Sequence, residues 1–514
     1  MNLRNYLSFQ KGKANTLYNQ LFQPGIKGFY FRSELDHTIQ TLTVSVPAGY
    51  EQNKRYPLVL LCPIGRVGYD AYLYHAYHDE PVIFANVSSR GYTSDACIAE
   101  AAILESLEHL LRHFSVDEDR IYLAGESGGA FAAWALAANY PDRFAGLLTL
   151  DGYPYLNHLQ NLAHLRIVNV SSESAHMYLN AYQKPHSILR VFPGYTGVLS
   201  PEMLHGYLYY LLAKGSLITK LLEGRREQYP DRIDFRTERN RVLKAYWLRL
   251  HGIAFGKKSA HVKAETAGDR ICIQLENASG VTVEIPPRVN REQFMVEVNG
   301  QAFEFVNFVG ERLSFIAVSD SYQLCDLKET AKVDLRKGMG LLDVYLDALQ
   351  VVYQDNASPA MLKVVGALAK PFTGGMQPEV YVDYPVKKYS EVLEEDLDCG
   401  MILFDDFNRD NRFSEIYQQC AIQTDTEGFT YQGKRYNGDY CVLQVFPSPK
   451  ESEKSMLVVS CNNESLFRRN PLLRRMILPS YSMGFHLYLS NEGLIYFDGQ
   501  FYGVYEWGMA LEKV

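Results

Sequence analysis

Residues 116 to 140 read VDEDRIYLAGESGGAFAAWALAANY, and this stretch constrains the fold more than any other. A short apolar run meets Gly125-Glu126-Ser127-Gly128-Gly129, and an alanine-rich segment follows without a single charge. The glycines remove the β-carbons that would clash where a helix folds back against the strand before it, and Ala130, Ala132 and Ala133 continue the close packing. A strand, a sharp bend and a small-residue helix are therefore predicted, with the Ser127 hydroxyl projecting from the bend beyond the carboxyl edge of a sheet.

The flanking sequence repeats this alternation. TLTVSVP, YPLVLLCPIG, PVIFANVSSRG, FAGLLTLDG, LRIVNVSSES and SILRVFPG all read as strands, and several are continuous apolar runs suited to burial on both faces. CIAEAAILESLEHLLRHF reads as an amphipathic helix with Ile98, Ala102, Leu104, Leu107, Leu111 and Phe114 near its apolar face. Strands alternating with helices imply an α/β fold: a mostly parallel sheet with helices on both faces. Residues 1–230 form this first domain, of which 1–50 supply a lead-in and edge strands.

Near residue 230 the texture changes. RICIQLEN, VTVEIP, FMVEVNG, QAFEFV and RLSFIAV are short strand-like runs, and VNGQ and VGER suit tight hairpins. A small β-sandwich-like domain is expected over 231–330. An α+β domain over 331–514 completes the chain, opening with LLDVYLDALQVVYQD as a helix. At 514 residues, two to four domains are expected.

The formal charge of -8 offers no general attraction to nucleic acid or anionic membranes, and the densest basic cluster, GRREQYPDR, is diluted by acids. No window approaches 18 consecutive apolar residues, so no membrane span is expected. Eight cysteines are scattered without C-x-x-C spacing, which argues against a zinc site and against a disulfide framework. The expectation is a cytoplasmic protein without cofactor or metal, compatible with a homo-oligomer.

RSELDHTIQTLTVSVPAGYEQNKRYPLVLL, VDEDRIYLAGESGGAFAAWALAANYPDRFAGLL and NRVLKAYWLRLHG resemble, in that order, the prolyl-oligopeptidase-like and feruloyl-esterase-like serine hydrolases of the α/β-hydrolase superfamily. The resemblance is closest over about residues 30 to 220. It implies an acyl-enzyme formed on Ser127 with an ester, thioester or amide, the acyl substrate being a small molecule or carrier-bound. A serine hydroxyl needs a base to take its proton, an acid to orient that base, and N–H groups to hold the oxyanion. Chain order is serine, acid, histidine.

The resemblance places the acid after LRIVNV, where this chain has SSESAH, and Glu173 is the carboxylate there. Asp151, one strand earlier, is the alternative acid. The base belongs after SILRVF; the family's Gly-His is replaced by Tyr195-Thr196-Gly197, and His205 in PEMLHGYLYYLL is the nearest histidine beyond it. His176 is a second candidate base, and His75 and His78 are candidate pocket residues. The oxyanion donors fall on Gly128 and on Ile64 and Gly65, where a family His-Gly pair is replaced by Pro63-Ile64. Two other motifs fail on inspection. GIAFGKKS is one residue short of a phosphate loop, and DFNRDN has Asn411 where a calcium loop needs glycine. Three activities share these residues: a hydrolase, an acyltransferase or cyclase resolving the same acyl-enzyme, and a hydrolase body that has lost its base and serves as a binding or scaffold protein.

Overall fold

The computed structural model describes residues 25–62, 80–87, 90, 98–152, 158–172, 186–200, 216–254, 256–319, 321–325, 340–341, 343–369, 382–447, 454–470, 473, 492–504 and 512–513. Eight strands build the first sheet: β1 (Gly25–Arg32), β2 (Ile39–Val46), β3 (Tyr56–Cys62), β4 (Ile83–Asn86), β5 (Val116–Glu126), β6 (Gly146–Leu150), β7 (Arg166–Ser172) and β8 (Tyr195–Ser200). Their order across the sheet is β1-β2-β4-β3-β5-β6-β7-β8. The β1–β2 and β2–β4 pairs are antiparallel, and every pair from β4 to β8 is parallel.

Helices α1 (Ile98–His113) and α2 (Gly128–Asn139) cover one face of this sheet, and the short α3 (Leu217–Leu222) covers the other. In α2 every residue except Ala135 is buried, as its uncharged sequence requires. The buried stripe of α1 runs through Ile98, Ala99, Ala102, Ile103, Leu107 and Leu110, whereas Leu104 and Leu111 lie partly exposed at its margin. One predicted strand is misplaced. In SILRVFPG, His186–Leu189 is helical and the strand begins only at Tyr195. Pro193 has no N–H for a ladder, and Gly194 sits where a β-carbon would meet the Leu165 carbonyl oxygen at 2.4 Å.

Residues 232–325 form two five-stranded sheets. One contains Arg232–Thr237, Ala260–Ala267, Arg270–Glu276, Gln293–Val298 and Gln301–Val306; the other contains Lys244–Ala245, Leu248–Leu250, Gly280–Glu284, Arg312–Val318 and Ser321–Cys325. Their inner faces share one core, in which Phe235, Val262, Ile271 and Phe294 meet Leu248, Val281 and Phe315. VNGQ is a hairpin, with Asn299 at φ 47° and Gly300 at φ 84°, the left-handed pair that such a two-residue turn demands. VGER is not a hairpin: the strand before it pairs in one sheet and the strand after it in the other, so these residues carry the chain between the two layers.

The remaining strands fall in an eight-stranded sheet, with Leu349–Tyr353, Val386–Lys388, Gly400–Phe404 and Ser455–Cys461 mutually parallel, and in a small three-stranded sheet. LLDVYLDALQVVYQD is not one helix: a single 3-10 turn at Asp343–Leu346 gives way to strand Leu349–Tyr353. Leu349, Val351 and Val352 are buried, and the β-branched pair favours a strand in a sheet covered on both faces.

The three units meet at a buried charge cluster. Arg239, which follows the strand Arg232–Thr237, donates from Nη1 to Glu100 of α1 at 2.8 and 3.1 Å. Its Nε and Nη2 donate to Asp343 at 3.2 and 3.0 Å. The Tyr140 hydroxyl, at the carboxyl end of α2, donates to Glu100 at 2.6 Å. The basic cluster GRREQYPDR is spent on ion pairs within the chain: Arg225 and Arg226 pair with Asp117 and Asp119 of the first unit, and Arg232 with Glu265 of the second. Among the described residues, no helix is long and apolar enough to cross a membrane.

Candidate active site

Strand β5 ends at Glu126, α2 begins at Gly128, and Ser127 between them has φ 51° and ψ -120°. This left-handed, strained backbone is held from both sides. The Ser127 N–H donates to the Leu150 carbonyl at the end of β6 at 2.8 Å, and the Ser127 carbonyl accepts from Ala130 and Phe131 in the first helical turn. The close approach fixes the neighbouring residue types. A β-carbon on Gly125 would lie 2.2 Å from the Gly129 carbonyl oxygen, and one on Gly152 would lie 2.2 Å from the Ala130 β-carbon. Ser127 is half-buried while Glu126 and Gly128 are buried. The Gly128 N–H belongs to the first turn of α2, where backbone donors have no intrahelical acceptor and the helix dipole favours negative charge.

Parallel strands bring further candidates to the same edge. Glu126 is in register with Leu150, so Asp151 is the next residue beside Ser127 on the adjoining strand, about 5 Å away. Asp151 has φ 49°, and its side chain is fully buried. Ser172 holds it: the Ser172 N–H donates to Oδ1 at 2.7 Å, and the Ser172 Oγ donates to Oδ2 at 2.9 Å. Sequence reasoning missed Ser172, although two serines ending the apolar run LRIVNV were a visible signal. On the other side of β5, Cys62 ends β3 in register with Gly125, so the chain leaves β3 toward the elbow. Burial pushes the Cys62 thiol up to about 12, so it stays protonated and is no rival nucleophile.

An eight-stranded sheet in this order, with a serine at a positive-φ bend between the fifth strand and a buried helix, decides the fold. This is the α/β-hydrolase fold. In such a domain the nucleophile sits at that bend, and its partners arrive from loops at the same edge.

Of the remaining predicted site residues, Ile64, Gly65, His75, His78, Glu173, His176 and His205 lie outside the described residues. Their attachment points are defined. Glu173 directly follows Ser172 of β7, and His205 is the fifth residue after Ser200, which is in register with Ser172. Among the described histidines, none is bonded to Ser127. His158 precedes a 3-10 turn whose Asn161 donates to the Ala138 carbonyl at the far end of α2, about 16 Å from Ser127 along the helix. Burial, with Arg236 and Arg239 nearby, lowers His158 to about 4. His186 contacts the Tyr195 hydroxyl at the opposite edge of β8. Among the described residues no His, Cys, Asp and Glu cluster suits a metal ion; in DFNRDN, Asp406 accepts from the Asn408 N–H and Asn411 Nδ2 within its own loop.

No family model matches the chain. A stretch of 54 residues is 39% identical to poly(3-hydroxyalkanoate) depolymerase C of Paucimonas lemoignei, covering 10% of this chain and 13% of that protein. Similar solved structures include a thermostable esterase (18% identity, 39% of this chain and 63% of that one, TM-score 0.35). Fluorophosphonate-binding serine hydrolase F of Staphylococcus aureus is similar at 13% identity over 38% of this chain and 99% of that one, TM-score 0.32. The ferulic acid esterase of Anaeromyces mucronatus is similar at 13% identity over 39% and 91%, TM-score 0.32. The chain thus spans 13% of the depolymerase and less than two thirds of the thermostable esterase.

Proposed function

We propose that the chain is a serine hydrolase that cleaves carboxylic esters, thioesters or amides through an acyl-enzyme on Ser127, with the 232–325 and 349–513 sheets as accessory β-sandwich and α+β domains. One observation carries the reading: Ser127 occupies a strained, half-buried bend at the start of a helix, where its oxygen meets solvent and substrate while its backbone is immobilised. His205 takes the proton from Ser127 Oγ, Asp151 orients the imidazole, and the Gly128 N–H helps hold the oxyanion with a donor from residues 64 and 65. Ser127, Asp151 and His205 keep the chain order serine, acid, histidine.

Reach supports the base. The end of β8 stands three strand spacings, about 14 Å, from β5, and five residues extend to about 17 Å. Asp151 is favoured over Glu173 because it is already buried and oriented at the elbow. Ser172 donates to both oxygens of its carboxylate, which fixes the group beside the elbow. Once the acyl-enzyme forms and the leaving group has taken the proton from His205, water or another acyl acceptor resolves it.

Fluorophosphonate labelling followed by peptide mapping tests the nucleophile, and 4-nitrophenyl butyrate turnover tests the rest. Label on Ser127, loss of turnover in Ser127→Ala and a fall of about 10⁴-fold in His205→Gln are expected. A folded chain that takes no label and cleaves no activated ester overturns the reading and leaves a hydrolase body with a binding role.

A further inference from the structure

Strand β7 runs beyond its neighbour. Leu150, the last residue of β6, is in register with Val170, and β7 continues through Ser171 and Ser172. Both serines are buried, in a strand whose other members are apolar apart from Arg166 and Asn169, at an expensive place in a sheet to leave a hydroxyl without a partner. Ser172 resolves this by turning its N–H and its Oγ onto the two oxygens of one carboxylate, that of Asp151. Asp151 is itself in the left-handed region at φ 49°, a conformation uncommon for aspartate, and its N–H is tied to the Val170 carbonyl at 2.9 Å. Backbone and side chain of Asp151 are therefore both pinned by β7.

We infer that Ser172 is a positioning residue for the hydrolytic reaction. It fixes the plane of the Asp151 carboxylate, and with it the imidazole that serves Ser127. The inference rests on the reading of Asp151 as the orienting acid. Two donors on opposite oxygens of a carboxylate define its rotation about the side-chain bond, which one donor cannot do. The backbone N–H sets Oδ1, and any residue at 172 except proline supplies it. The hydroxyl sets Oδ2, and only serine or threonine supplies that donor at this length. Without the Oδ2 donor the carboxylate is less firmly oriented, and the imidazole it orients spends less time aligned with Ser127 Oγ. The expected signature is a lower kcat with unchanged substrate binding, because nothing in the clamp touches substrate.

A double-mutant cycle on the full chain with 4-nitrophenyl butyrate, paired with the rate of fluorophosphonate labelling of Ser127, tests it. Ser172→Ala should lower kcat and the labelling rate 10- to 100-fold with KM within twofold, and Ser172→Thr should restore most of the loss. In the Asp151→Asn background, Ser172→Ala should change kcat less than twofold, because its target is gone. A Ser172→Ala enzyme of normal kcat beside an inactive Asp151→Asn overturns the role of Ser172 alone. A normal Asp151→Asn beside an inactive Ser127→Ala shows that another carboxylate, with Glu173 first in line, orients the base, and overturns the inference while the hydrolase stands. Equal losses from Ser172→Ala in both backgrounds identify a merely structural serine. A wild-type chain that neither turns over ester nor labels removes both readings together.

Discussion

Replacing Arg239 by methionine keeps most of the side-chain volume and removes the cation between Glu100 and Asp343. Glu100 and Asp343 are only 3% and 2% exposed, so water cannot take the place of the guanidinium. In the native protein the nearest ion-pair contact is 2.8 Å, and at an effective dielectric near 20 such a pair is worth roughly 6 kcal/mol before desolvation is subtracted. Breaking a buried pair by removing one partner typically costs about 3–5 kcal/mol, and this range is expected at pH 7. Urea unfolding followed by tryptophan fluorescence provides the assay, since Trp134 and Trp247 are buried in the first two units that the cluster joins. The triple variant Arg239→Met, Glu100→Gln, Asp343→Asn should recover most of the loss, because it leaves no uncompensated charge, whereas a packing defect would persist in it. A penalty under 1 kcal/mol at pH 7, or a triple variant no more stable than the single one, would refute the reasoning.

Gly125→Ala should abolish Ser127 labelling and lower the melting temperature, whereas Gly49→Ala, whose β-carbon meets nothing within 4 Å, should leave both unchanged; calorimetry and labelling read the contrast. His158 should make the fold acid-sensitive. Its folded value of about 4 lies below the ordinary histidine range near 6.5, so the unfolded chain binds the proton first. That contribution is complete above pH 6.5 and declines as pH falls toward 4, by about 2 kcal/mol at pH 5, and His158→Leu should flatten this part of the stability–pH curve. Asp405, which accepts from Arg409, Thr424, Ser460 and the Phe407 N–H, should cost about 2–3 kcal/mol when changed to asparagine, measured by urea midpoint.

The elbow was legible because its constraint is local: Gly125 must lack a β-carbon for Gly129 to approach, and such a requirement is written in the residue itself. The helix α2 was legible for the same reason, since Ala130, Ala132 and Ala133 continue the close packing that the glycines begin. Errors arose where partners decide. VGER has hairpin chemistry, but the register of Leu313 with Val283 and of Phe294 with Phe305 assigns the flanking strands to different sheets. Leu349–Tyr353 carries enough leucine and alanine beside it to read as helix, and only its parallel neighbours turn it into a strand. Ser172 escaped notice because its significance lies in a carboxylate 21 positions away.

Arg239 also bears on how the first unit could be handled alone. A shortened chain that stops near residue 230 retains Glu100 and the Tyr140 hydroxyl but discards the guanidinium that neutralises Glu100. Such an excised unit inherits an uncompensated negative charge on α1, the helix packed beside α2. Glu100→Gln is the compensating edit that a minimal expression fragment requires, since an amide keeps the tyrosine contact without the charge.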